Sequence, residues 1–254
     1  MRATRATRRA LAGVTIGALL TAVLAPAVAD AQGRSPPDLT GSWERHRAPP
    51  GDRTNPPPEA SPPLKPSLLA EWQTRRAAAQ AADARGEPIA TGYTHCLPDG
   101  VPSMMSGPFP LEILQGATQL NITQEAYSQT RRIYFGKPQV TLDDIELGFY
   151  GHSVGEWQGD TLVVDTIGIK DYIRFRDAPH SPDMRITERF RLVTPDVLWD
   201  EITIEDPEVL EKPWNVTFAY RRMPDYSIIE YVCEDNREYA DENGIGRLRV
   251  TKPE

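Results

Sequence analysis

Three side chains combine a residue type suited to proton transfer with an unusual setting. Glu188 lies in a predicted strand, residues 184–193, on the same face as Ile186 and Phe190, because alternate residues of a strand share a face. A carboxylate on an apolar face must bind a cation or hold its proton more tightly than usual, and the second condition suits a general acid or base. Two interpretations of Glu188 therefore stay open: a proton-transfer group, or the buried partner of an arginine.

The other two side chains are histidines. His152 lies on the same face of its predicted strand as Tyr150 and is flanked by glycines, which let another group approach closely. His180 follows Pro179 in a loop fixed by prolines, of the kind that presents functional groups at a barrel mouth. If they converge with Glu188, the set suits catalysis with His152 or Glu188 as the base and His180 as the acid or oxyanion donor. The alternative is a pair of solvent-exposed or structurally bonded histidines.

Aromatic residues on the predicted strands could line a cavity for a flat apolar ligand. We expect the wall of this cavity to include Tyr150, Trp157, Trp214 and Tyr231. No HxH, HxxxH or HExxH spacing is present, so a metal site would have to be assembled from distant strands. We therefore predict neither a metal nor a cofactor.

The elements that must position these residues are mainly strands. After residue 108 the chain consists of short apolar or alternating runs separated by turn residues, which is typical of an all-β fold. Strands are predicted at 111–116, 118–124, 127–135, 147–157, 161–168, 184–193, 197–205, 214–221 and 227–233. Because a long meander must close to bury one face and hide its edges, we predict an antiparallel up-and-down barrel of the lipocalin-like type.

The segment before the barrel has a different composition. Residues 34–66 are dense in proline, which favours an extended arm around the body, and residues 38–44 within it predict a short first strand. The alanine-rich run 64–85, followed by Gly86, predicts the one N-terminal helix. The predicted organisation is an arm at 32–66, a helix and connecting loop at 67–110 and a barrel body at 111–254, with 38–236 forming a single domain.

Residues 1–31 have the pattern of a cleavable signal peptide. Four arginines precede an apolar stretch, and a small-x-small cleavage pattern ends at Ala31. We expect a periplasmic or secreted protein, exported by the Sec route in preference to the twin-arginine route that Arg8 and Arg9 would also fit. Removal of this segment changes the formal net charge from −8 to −11, with 24 basic and 35 acidic residues remaining. Nucleic acid and membrane insertion are therefore not expected, and the oligomeric state stays open.

The two cysteines of the sequence are Cys96 and Cys233. In an oxidising compartment an even pair is most simply a disulfide, which would close a very long loop here. We therefore predict a bridge that ties the segment before the barrel to its last predicted strand.

The stretch at 151–166, GHSVGEWQGDTLVVDT, resembles a widespread family of exported bacterial proteins of unknown function. Further strings that are similar to this family include CLPDGVP at 96–102 and EYVC at 230–233, and the resemblance covers roughly residues 38–236. Residues 169–176 depart from the family's form, in which an Asn-Asp-Lys-type stretch follows the strand. This departure implies an altered choice of ligand.

These patterns lead to one functional hypothesis and two alternatives. The first is an exported barrel enzyme that performs cofactor-free acid–base chemistry, as an isomerase, lyase, cyclase or hydrolase, on a small hydrophobic or aromatic molecule. The second is a non-enzymatic periplasmic carrier of an apolar ligand, with a deep aromatic pocket. The third is an interaction module with a filled barrel.

Overall fold

Nine strands that follow one another along the chain close into a barrel. The computed structural model describes residues 35–87, 89 and 96–231, and the backbone of 238–240 and 246–248. The barrel strands are β1 (Gly41–Arg45), β2 (Leu111–Gln115), β3 (Gln119–Gln124), β4 (Gln129–Phe135), β5 (His152–Gln158), β6 (Thr161–Ile167), β7 (Arg185–Thr194), β8 (Val197–Glu205) and β9 (Trp214–Met223). Two short strands, β10 (Glu238–Ala240) and β11 (Gly246–Leu248), pair separately. The prediction of a mainly β barrel is confirmed.

The order of the strands is that of a meander, but the prediction of wholly antiparallel pairing is wrong at one place. Strands β4 and β5 run parallel, with Ile133 opposite Ser153 and Phe135 opposite Gly155. Parallel neighbours need a crossover in place of a hairpin, and the chain between them contains a 3-10 helix, Leu142–Asp144. Strand β5 was predicted to begin at residue 147, but it begins at His152. Gly148, which lies in the crossover, forms an isolated bridge with Ile169.

The barrel is closed by its first strand. Strand β1 pairs antiparallel with both β2 and β9, so no edge of β9 is left for a following strand. The strand predicted at 227–233 is therefore not found in 227–231, the part of it that the structure describes. The amide of Ile229 and the hydroxyl of Tyr226 instead donate hydrogen bonds to the side chain of Glu125.

Large side chains fill the interior of the barrel. Trp43, Phe190, Phe218 and Tyr220 are fully buried, and they alternate along their strands with outward residues, as the pleat requires. One end is plugged by the short helix α2 (Ser103–Ser106), which is joined to the wall by a hydrogen bond from the Tyr220 hydroxyl to the carbonyl oxygen of Met105. The predicted barrel thus has a packed core.

The proline-rich segment contacts strands β8 and β9. Two tryptophan indoles donate hydrogen bonds to its carbonyl oxygens: Trp199 to Thr54 at 2.9 Å and Trp214 to Ala60 at 2.8 Å. The segment leads into helix α1 (Pro66–Ala84), whose first residue has the fixed φ that suits a helix start. No helix in the described part of the chain is long and apolar enough to cross a membrane.

Candidate functional site

Glu188 is the buried partner of an arginine. Both of its carboxylate oxygens accept hydrogen bonds from the guanidinium of Arg131, one of them at 2.7 Å, and both side chains are fully buried. The same guanidinium donates to the hydroxyls of Ser153 and Thr166. The inward direction predicted for Glu188 is correct, and of its two interpretations the structure supports the arginine partner.

A second carboxylate lies in the same interior. Asp200 is fully buried, and among the described residues neither of its oxygens has a hydrogen-bond partner. Burial, followed by the charge of Glu188, raises the pKa of Asp200 well above its ordinary value. Because Glu188 and Asp200 are both closed off from solvent, neither can reach a dissolved substrate in this conformation.

His152 lies on the other side of the barrel wall. It is the neighbour in strand β5 of Ser153, which points inward to Arg131, so the histidine points outward. Its Nδ1 lies 2.8 Å from the side-chain oxygen of Gln139, and its ring stacks on Tyr134. Partial burial and the charge of Lys137 lower the pKa of His152, which favours the neutral ring.

His180 is held by the backbone. Its Nδ1 lies 2.8 Å from the carbonyl oxygen of Ser181, and its Nε2 lies 3.0 Å from that of Lys170. Both nitrogens thus lie within hydrogen-bonding distance of backbone carbonyl oxygens, which fix the orientation of the ring, and the ring lines a small apolar pocket. The hydrogen bonds and ion pairs of the described residues do not join His152, His180 and Glu188 to one another, so the catalytic set predicted from the sequence is not assembled by them.

The aromatic residues predicted to line one cavity are spread over the molecule. Trp214 is buried against Phe175, with 4.9 Å between ring centroids, and Tyr231 packs 5.1 Å from Tyr127. Trp157 is half-buried against the barrel core. Tyr150 lies near Asp99, since burial and the charge of Asp99 raise the pKa of Tyr150 to about 12.

Of the predicted cysteine pair, Cys96 is described and Cys233 lies outside the described residues. The disulfide therefore stays a prediction, as does the signal peptide at 1–31, which also lies outside them.

A cleft of about 670 Å³ opens on the outside of the barrel. Its walls are one face of helix α1, residues 97–103 and residues 172–177, and its volume falls in the range of small-molecule sites. The described part of the chain has five exposed large hydrophobic side chains, and three of them line this cleft: Ile89, Leu97 and Tyr172. Exposed apolar surface concentrated in a concave site is typical of a binding site.

Asp99 lies in the wall of this cleft. Burial raises its pKa, and a hydrogen bond from the side chain of Gln129 acts in the opposite direction. A carboxyl group with a raised pKa in an accessible cleft is the arrangement expected of a general acid or base. Tyr150, which the charge of Asp99 helps to keep protonated, supplies a hydroxyl close to it.

Two arginines line the same cleft. Arg75 projects from helix α1, and Arg174 lies in the segment between β6 and β7. Burial and the charge of Arg75 lower the pKa of Arg174, and the charges of Glu71, Asp177 and Asp171 act in the opposite direction. Such a pair can bind an anionic group on a ligand.

Sequence reasoning did not single out Asp99 as a candidate functional residue. It stands between Pro98 and Gly100, where an aspartate is typical of a turn, so its local pattern gives no sign of a cleft. Residues 169–176, which we expected from the sequence to bear on ligand choice, contribute Tyr172 and Arg174 to the cleft.

No group of three or more His, Cys, Asp or Glu residues in the part that the structure describes is placed to hold a metal ion. No protein-family model matches the chain, and no curated protein shows significant similarity to it.

Proposed function

We propose that the protein is an exported enzyme that carries out acid–base chemistry on a small molecule with an apolar or aromatic body. The ligand binds in the cleft outside the barrel, and Asp99 transfers the proton. The observation that carries this proposal is the placement of a carboxyl group with a raised pKa in the same 670 Å³ cleft as three exposed apolar side chains.

The chemistry follows from the surroundings of Asp99. A carboxyl group whose charged form is disfavoured by burial takes up a proton more readily than an ordinary aspartate. It therefore acts as a base when ionised and returns the proton as an acid. Leu97 and Tyr172 bind the apolar part of the ligand beside it, and the reaction needs no cofactor because the proton moves to and from a side chain.

A non-enzymatic carrier is the second candidate function. The exposed apolar residues of the cleft favour ligand binding by themselves, whereas the apolar pocket lined by Phe175, His180 and Trp214 has a volume of only about 20 Å³. The two candidates differ in the role of Asp99, which is essential to the enzyme and incidental to the carrier.

The flat aromatic compound 5-nitrobenzisoxazole tests the enzyme proposal. When a base removes the proton from its carbon 3, the ring N–O bond breaks and a coloured 2-cyano-4-nitrophenolate forms. We expect the wild-type protein to accelerate this reaction and Asp99→Asn to lower the rate about 100-fold, which is the usual contribution of a general base. The control Asp183→Asn changes an exposed aspartate that is not among the cleft residues.

The pH dependence sharpens this test. The rate should rise as Asp99 loses its proton, with a midpoint above the ordinary value of 3.8. Equal rates for the wild type and Asp99→Asn at every pH would contradict the proposal and favour the carrier.

A further inference from the structure

We infer that the ligand of the cleft carries an anionic group, such as a carboxylate, sulfonate or phosphate, and that Arg174 and Arg75 bind it. This inference rests on the proposed function, since it concerns the same cleft. It adds a charge requirement that the acid–base proposal does not contain.

Arg174 differs from the arginines near it. Arg76 pairs with Asp177 at 3.5 Å, and Arg176 binds both carboxylate oxygens of Glu59 at 2.6 and 2.7 Å. Arg174 has no carboxylate within 4.0 Å in the part of the chain that is described. It is thus a guanidinium group in a cleft wall that forms no ion pair in that part of the chain, although the charges of Glu71, Asp177 and Asp171 act on it from farther away.

Arg75 adds a second positive charge that is only weakly compensated. Its ion pair with Glu71 has a separation of 4.0 Å, and both side chains are more than half exposed. Exposed pairs of this kind contribute little energy, so a ligand can replace this one at small cost. Arg75 is close enough to act electrostatically on Arg174, and an anion between the two guanidinium groups relieves their repulsion.

The acidic residues that line the cleft form no ion pair with Arg174 in the described part of the chain. Asp177 is engaged by Arg76, and burial disfavours the charged form of Asp99. Asp83, on the last turn of helix α1, is exposed. The cleft lining holds two arginines beside three aspartates, and guanidinium groups suit carboxylate, sulfonate and phosphate oxygens geometrically.

Two fluorescent probes with the same aromatic body separate the charge requirement from the apolar one. 1-Anilinonaphthalene-8-sulfonate carries an anionic group, and N-phenyl-1-naphthylamine lacks it. We expect the wild type to bind the sulfonate about tenfold more tightly, the effect of one charged hydrogen bond. Arg174→Gln should remove this advantage without changing the affinity for the neutral probe, and Arg75→Gln should reduce it.

Two controls locate the binding. Arg189→Gln changes an exposed arginine of strand β7 that is not among the cleft residues and should alter neither affinity. Leu97→Asp should weaken both probes, whereas Leu114→Asp, at an exposed leucine of strand β2, should weaken neither.

The outcomes distinguish this inference from the proposed function. If the neutral probe binds at least as tightly as the sulfonate and Leu97→Asp weakens it, the anion inference is wrong and the apolar cleft stands. If Leu97→Asp affects neither probe, the cleft is not the binding site and both proposals fail.

Discussion

Replacement of Glu188 by glutamine tests the buried ion pair at the centre of the barrel. Both partners are fully buried, so Glu188→Gln leaves the charge of Arg131 in the interior with one strong acceptor fewer. Removing one partner of such a pair costs about 3–5 kcal/mol. We expect about 3 kcal/mol, the lower end of that range, because Ser153 and Thr166 still accept hydrogen bonds from Arg131.

Urea unfolding followed by far-ultraviolet circular dichroism measures this loss. For a domain of this size about 3 kcal/mol corresponds to a fall in Tm of about 6–12 °C. The double variant Glu188→Gln with Arg131→Met removes both charges and should recover most of the lost stability. The control pair, Arg191 and Glu201, is about one third exposed, and Glu201→Gln should cost less than about 1 kcal/mol.

Two results would refute this reasoning. One is a Glu188→Gln variant within about 1 kcal/mol of the wild type, since that is the range of an exposed pair. The other is a double variant no more stable than the single one, because the cost would then not come from an unpaired buried charge.

Two further predictions concern the pH dependence of folding and the packing of the barrel wall. Because burial and Glu188 raise the pKa of Asp200 above 3.8, the folded state holds this proton more tightly than the unfolded chain, and stability falls as pH rises from 3.8 through the raised value. Asp200→Asn should therefore lose less stability than the wild type between pH 4 and pH 8 in urea titrations. An equal loss of stability in both proteins over this pH range would contradict the prediction. Gly151→Ala should cost about 1–3 kcal/mol more stability than Gly159→Ala in the same assay. Both glycines have φ near +60°, but a Cβ at Gly151 would lie 2.3 Å from the carbonyl oxygen of Ile167. Equal losses of stability in the two variants would argue against this close approach.

The strands could be predicted from the sequence because their signals are local. The range 197–205 is found unchanged as strand β8, and 184–193 lies within one residue of strand β7. Alternation and the turn residues 194–196 suffice for such hairpins. The parallel pairing of β4 with β5 was not predictable in this way, because it depends on the path of the intervening crossover.

The functional residues were harder to predict because their partners are distant in sequence. The inward direction of Glu188 follows from strand parity, but Arg131, which decides its role, lies 57 residues away. Asp99 enters the cleft only because helix α1 and residues 172–177 pack around it. The histidines were predicted from residue type and from their glycine- and proline-containing settings, and these settings do not predict the two backbone partners of His180.

The central claim is that Asp99 holds its proton more tightly than an ordinary aspartate in an accessible cleft. Carbon-13 NMR of the side-chain carboxyl groups measures this directly across a pH titration, with Asp99→Asn identifying the resonance. We expect a midpoint above 3.8 for Asp99. A midpoint at or below 3.8 would contradict it, because the carboxyl group would then have no special capacity to take up and return a proton.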